Sequence, residues 1–177
     1  MSTDMTQFPE ASRPFAEQLE RRTARLLNIH AGMAASPAVI AAFAGLSAGV
    51  AKHATFGTAT REAIALAVGN QNGCDYCQAA HTVSAKRAGL TDEQILQIRA
   101  GEVTFDPKLA ALLEVARAAA ANTGTVPAEV RDHASAAGWS DEELQELFAH
   151  LAVNLYTNFF NHYAGTELDF PSAPSLT

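Results

Sequence analysis

Cysteine is scarce in this chain: Cys74 and Cys77 are the only two among 177 residues. That count excludes a disulfide-stapled secreted scaffold, and a lone Cys-x-x-Cys in a reducing compartment points to chemistry rather than to a staple. Positive charge is also sparse, with 12 Lys and Arg against 19 Asp and Glu and a formal net charge of −7. With no basic cluster, nucleic acid and anionic membrane surfaces are disfavoured as partners. Charged or polar residues interrupt every apolar run, so none reaches the roughly 20 residues of a membrane-spanning helix. Residues 1–7 lack the basic start and apolar stretch of a signal peptide, and a cytoplasmic location is expected. Nothing alternates with period two for long enough to mark a strand, and no low-complexity tract suggests disorder. What remains is 48% hydrophobic and long enough for a sizeable core. One domain over 1–177 is expected, with loose tails at about 1–8 and 171–177.

The helical pattern fills that domain. From about Pro14, Phe15, Leu19, Ala24, Leu26, Leu27 and Ile29 predict one partly amphipathic helix. Ser36-Pro37 opens the next, whose buried face carries Val39, Ile40, Phe43, Leu46 and Val50. Phe56-Gly57-Thr58 reads as the entry to a helix bearing Glu62 and running to about Gly69. A further break at Gly69 to Gly73 precedes a cysteine helix stopped by Gly89. Thr91 to Gln94 and Ser140 to Glu143 are capping boxes that start later helices, and Asp106-Pro107 opens another. Ala88 to Glu93 is echoed by Ala137 to Glu142, and Glu146 precedes Asn158 and Asn161 by the intervals that separate Glu62 from Cys74 and Cys77. An internal duplication that lost its thiols is one reading of this echo; chance similarity at two capping boxes is the other.

The chemistry concentrates between Cys74 and His81. Asn72-Gly73 is turn chemistry, so Cys74 is expected at a helix N-terminus, where the dipole and unpaired N–H groups favour thiolate. Positions 74, 77 and 81 then share one helix stripe, which puts His81 one turn from Cys77 for proton exchange. Three readings follow from the residues: a redox dithiol, a zinc site using Cys74, Cys77, His81 and Glu62, or a buried structural pair. The spacing favours redox, since Cys-x-x-Cys with a histidine at i+4 on one helix is not a usual closed zinc set. Glu62 also has a purely structural reading, as a first-turn carboxylate set against the helix dipole.

Glu62, Cys74-x-x-Cys77 and His81 resemble the active-site signature of the AhpD-like alkylhydroperoxidases, in the carboxymuconolactone decarboxylase superfamily. The stretches Ser36 to Val39, Arg61 to Val68 and Asn161 to Phe170 resemble its peroxidase-related branch, and the similarity runs from about Phe15 to Pro171. This resemblance implies an all-α AhpD-like fold and an antioxidant, thiol-dependent peroxidase. Cys77 would attack the hydroperoxide, Cys74 would resolve the sulfenic acid as a disulfide, and His81 and Glu62 would move protons. It further implies an external dithiol protein as reductant, no metal or bound cofactor, and a homo-oligomer, a trimer or a multiple of it. Where members of the family carry a histidine before the second cysteine, this chain has Tyr76, so a relay through that position is not carried over. Tyr76 and His162 are candidates for the pocket wall, whereas His30, His53, His133 and His150 read as surface or core residues. Two alternatives stay open: a lactone-decarboxylating lyase, and a non-catalytic redox-sensing or zinc-binding helical protein.

Overall fold

The structure, a computed structural model, describes residues 3–176. The expected all-α class holds: the described residues form nine α-helices and two short 3-10 turns, with no strand. The helices are α1 (Arg13–Thr23), α2 (Asn28–Ala34), α3 (Pro37–His53), α4 (Thr58–Gln71), α5 (Asp75–Arg87), α6 (Asp92–Ala100), α7 (Pro107–Ala121), α8 (Ala128–Ala136) and α9 (Asp141–Ala164).

Boundaries fall where local chemistry dictates. Both capping boxes form, with the Thr91 and Ser140 side chains accepting the N–H of Gln94 and Glu143. Asp106 accepts from Leu109 N–H and Pro107 occupies the first turn of α7. One expectation fails. The helix drawn from Pro14 to Ile29 is two helices, because Ala24 adopts φ 61° in the left-handed region and closes α1. Within the tail expected over 1–8, the described residues carry local structure. Asp4 caps a 3-10 turn at Met5–Gln7, and Phe8 is buried against α1-to-α3 side chains. Met1, Ser2 and Thr177 of the expected tails lie outside the described residues.

The fold has two hydrophobic clusters. The larger gathers α4, α6 and α7 with Ala134, Leu147 and Leu151. The smaller gathers Phe8, α1, α2 and α3 with Cys74, Tyr76 and Cys77. Helix α4 is the central element: Ala63 to Gly69 are all buried, and it packs on α5, α6, α7 and α9. A helix apolar on every side suits only such a surrounded position. Glu146, Asn158 and Asn161 lie on the single unbroken helix α9, whereas Glu62 and the cysteines lie on two helices joined by a turn. Equal intervals therefore do not give equal structures.

Two distant carboxylates fasten this arrangement. Leu27 cannot cap α2 with its side chain, so Asp169 from the C-terminal stretch accepts the Asn28 N–H at 2.7 Å. The same Asp169 oxygen accepts the Tyr76 hydroxyl at 2.5 Å, and the carboxylate is 3.7 Å from Arg25. Glu146 accepts the N–H groups of Thr55 and Phe56 and the Thr55 hydroxyl, fixing the approach to α4.

Candidate active site

The site is assembled by the tight turn between α4 and α5. Gly73 takes φ 63°, open to glycine at little cost, and the Cys74 N–H then donates to the Gly69 carbonyl at 2.8 Å. Cys74 is the N-cap of α5, as expected, and its sulfur accepts the Cys77 N–H at 3.3 Å. Cys77 is the third residue of the helix, so both sulfurs sit at its positive end. They are bonded to each other, with Cα atoms 5.3 Å apart. Gly69 makes room for this: a Cβ there would lie 3.3 Å from the Cys77 Cβ.

Glu62 and His81 come together across the two helices, with Glu62 Oε2 at 2.8 Å from His81 Nδ1. A carboxylate at Nδ1 holds the proton on that nitrogen and leaves Nε2 as the free base. Glu62 is the fifth residue of α4, and the first turn holds no acidic residue. The reading of Glu62 as a first-turn carboxylate is thus corrected: its partner is His81.

Two residues that the motif did not supply complete the sulfur's surroundings. Asn158, fully buried, donates its amide to Cys77 Sγ at 3.0 Å, and Asn161 donates to Cys77 Sγ at 3.4 Å and to Cys74 Sγ at 3.8 Å. Asn72 donates to Asn158 Oδ1 at 2.7 Å, which orients the Asn158 amide with its N–H toward sulfur. In sequence these asparagines stood out by their intervals from Glu146, and Asn161 also opens the family-like stretch to Phe170. Their i, i+3 placement on one face of α9 was the usable signal.

A cavity of about 1170 Å³ opens onto this machinery. Glu62, Tyr76, Cys77, His81 and Asn161 line it, while Cys74 does not. His30 and His150, read from sequence as surface or core residues, are both buried and both line it as well. Burial, with Arg22 nearby, lowers the His30 pKa to about 4, so its imidazole is neutral. His150 is 3.1 Å from Glu146. Tyr76 forms part of the wall, but its hydroxyl is committed to Asp169; burial, then that bond, raises the phenol's pKa. His162 lies outside the cavity, its Nε2 2.9 Å from the Asn72 carbonyl. Among the described residues, no group of three or more His, Cys, Asp or Glu side chains is arranged to hold a metal ion, and no helix is long and apolar enough to cross a membrane.

Comparison with known proteins bears on the fold and on residues 37–121. An uncharacterized protein of Cupriavidus necator is 36% identical over 66 residues, covering 37% of this chain; the chain spans 58% of that relative's length. An uncharacterized peroxidase-related protein of Ralstonia eutropha JMP134 with an alkylhydroperoxidase AhpD core superposes with a TM-score of 0.82. It is 18% identical, over 96% of this chain and 90% of that one. The debrominase Bmp8 gives a TM-score of 0.78 at 20% identity, over 95% and 90% of the two chains. A peroxidase-related protein of Silicibacter sp. TM1040 gives 0.73 at 15% identity, over 93% and 86%. Residues 37–121, which hold Glu62, Cys74, Cys77 and His81, match the carboxymuconolactone decarboxylase family, and 96% of the chain superposes on the fold of an AhpD-like peroxidase-related protein.

Proposed function

We propose that this chain is an enzyme, a thiol-dependent peroxidase that cycles Cys74 and Cys77 between dithiol and disulfide. The observation that carries the reading is the asymmetry of the pair: Cys77 alone faces the cavity and accepts two side-chain amides, while Cys74 caps the helix behind it. The Cys77 thiolate attacks the terminal oxygen of a hydroperoxide. The thiol's proton has passed to His81 Nε2; the O–O bond breaks, the sulfur becomes sulfenic acid, and the departing alkoxide takes that proton back from the His81–Glu62 pair. The Cys74 thiolate then attacks the Cys77 sulfur, the S–S bond forms, and hydroxide leaves as water after protonation. The helix terminus and the asparagine amides favour the thiolate in both steps. An external dithiol protein returns the pair to the reduced state by exchange, becoming a disulfide itself. The reaction uses no bound metal or cofactor, and we place it in the cytoplasm, in a homo-oligomer built as a trimer or a multiple of it.

The test is hydroperoxide consumption by reduced protein, with dithiothreitol as reductant, in wild type, Cys77→Ser and Cys74→Ser. Catalytic turnover by wild type is expected. Cys77→Ser should be inert, and Cys74→Ser, reduced beforehand and then freed of dithiothreitol, should give a single turnover that leaves a trappable sulfenic acid. A wild-type protein that consumes no hydroperoxide while decarboxylating a carboxylactone, or while debrominating a bromopyrrole, would replace this reading.

A further inference from the structure

The cavity's charge is opposite to that of the chain. Five arginines line it, Arg21, Arg22, Arg25, Arg61 and Arg87, against one carboxylate, Glu62, already engaged by His81. Two of the five are compensated, Arg21 by Glu17 and Arg25 by Asp169. Arg22, Arg61 and Arg87 make no ion pair among the described residues. Arg61 is the most committed of these to the interior. Its Nη2 donates to the Thr58 hydroxyl at 3.2 Å, and its Nε is buried without a partner. A half-buried guanidinium with an unsatisfied N–H is costly unless an anion arrives to meet it. In a chain of net charge −7, three uncompensated cations around one cavity form a local attractor for anions.

Apolar side chains make up another part of the wall, among them Leu27, Ile29, Phe43, Val50, Val153 and Phe170, beside polar ones such as Ser47, Ser84, Asn154 and Thr157. Hydrogen peroxide, close to water in size at roughly 30 Å³, leaves most of the 1170 Å³ empty. Arg87 ends α5 ten residues after Cys77, which separates their Cα atoms by about 15 Å along the helix. A ligand that reached both the reactive sulfur and Arg87 would carry its anionic group well away from its peroxide.

We infer that, on the peroxidase reading above, the substrate is an amphipathic carboxylate, a hydroperoxide borne on an apolar chain whose carboxylate pairs with Arg61. Arg22 and Arg87 add attraction for the carboxylate, and the apolar wall takes the chain. Reduction follows the same steps, leaving the corresponding hydroxy-carboxylate and water.

Binding and turnover test this separately. Decanoate and decanamide, below their aggregation concentrations, are titrated calorimetrically into the disulfide form, where no chemistry occurs. Decanoate should bind about tenfold or more tightly, with a preference that weakens as salt is added. Arg61→Gln should remove most of that preference, and Arg61→Lys, which keeps the charge but not the fork, should retain part of it. Equal affinities, or no binding of decanoate, overturn the inference. Turnover then compares a hydroperoxy-octadecadienoate with its methyl ester. The ratio of kcat/KM should favour the acid by about tenfold and fall toward one in Arg61→Gln. Equal kcat/KM for acid and ester in wild type overturns the inference and leaves the peroxidase standing. Consumption of neither, in protein that binds decanoate, sinks the peroxidase reading while the carboxylate site stands.

Discussion

Asn158 reaches Cys77 from a helix more than eighty residues away in sequence, with its amide turned toward sulfur by Asn72. A hydrogen bond to a charged acceptor is worth about 1.5–3 kcal/mol. In the reduced protein, Asn158→Leu should therefore make the Cys77 thiolate harder to form, since the lost bond favours the charged form. The pH dependence of Cys77 alkylation in a Cys74→Ser background reads this directly; an unmoved titration would make the amide mere packing. Glu62→Gln addresses the other partner of the chemistry. Glutamine keeps the contact to His81 but cannot hold the imidazole's proton by charge, so turnover should drop by about 10²–10⁴-fold with a near-native melting curve. A wild-type rate would leave the pair structural. Tyr76→Phe should do the reverse, costing about 1–3 kcal/mol of stability through loss of the Asp169 bond while turnover stays within about threefold. At this scale the sequence shows what one turn can assemble: the cysteine pair, the histidine one turn on, and the glutamate just before the break. It does not show Asn158 and Asn161, because helical spacing says which face they share and nothing about which sulfur that face meets.

Some helix starts in this chain are stabilised by their own cap and others by a carboxylate sent from elsewhere, and of these two only the first kind is readable in sequence. Thr91, Asp106 and Ser140 cap locally, and the helices they open start where expected. Asp169 serves α2, and Glu146 serves the approach to α4, from across the fold. Ala24 broke a helix that apolar spacing alone would continue, because left-handed alanine has no sequence signature. Burial raises the Glu146 pKa, but the bonds from Thr55, Phe56 and His150 outweigh it and hold it at about 2, against an ordinary 4.5. The stabilisation is thus complete above pH 4.5 and disappears as pH falls toward 2. His30 behaves as a buried neutral base, with its pKa lowered from 6.5 to about 4. The unfolded chain takes that proton first, so this contribution is complete above pH 6.5 and is lost on descent toward 4. Each should amount to at most roughly 3 kcal/mol. Urea unfolding across pH 7 to 2 should show both losses. Glu146→Gln should be less stable than wild type at pH 7 and equal to it near pH 2, and His30→Phe should flatten the limb between 6.5 and 4. A Glu146→Gln deficit that persisted undiminished at pH 2 would reject the ionised-cap explanation.

Across the whole molecule, the two hydrophobic clusters meet at the α4–α5 turn, and α9 runs past both, supplying Leu147 and Leu151 to one and Asn158 and Asn161 to the sulfurs beside the other. The outward face of that helix is not polar. Phe148, Phe159 and Tyr163 are 70%, 65% and 92% exposed. Their spacings of eleven and four residues set them on one stripe about 22 Å long. Isolated exposed apolar residues are ordinary, but aligned aromatics along one helix mark a contact surface. The homo-oligomer proposed above supplies an occupant, since another copy brings the same stripe and pays no charge penalty from its aromatic rings. Such a contact would also stiffen α9 and so hold the asparagine amides against Cys77, which ties assembly to chemistry. Phe148→Glu with Phe159→Glu places two like charges on the stripe without touching the core. Sedimentation should show the wild type as a homo-oligomer and the double variant shifted to monomer, with the helical signal retained. Turnover per chain should fall as the oligomer is lost and recover in no buffer that leaves it monomeric. A double variant that sediments as the wild type does would place the subunit contact on another face and leave this stripe free for a different partner.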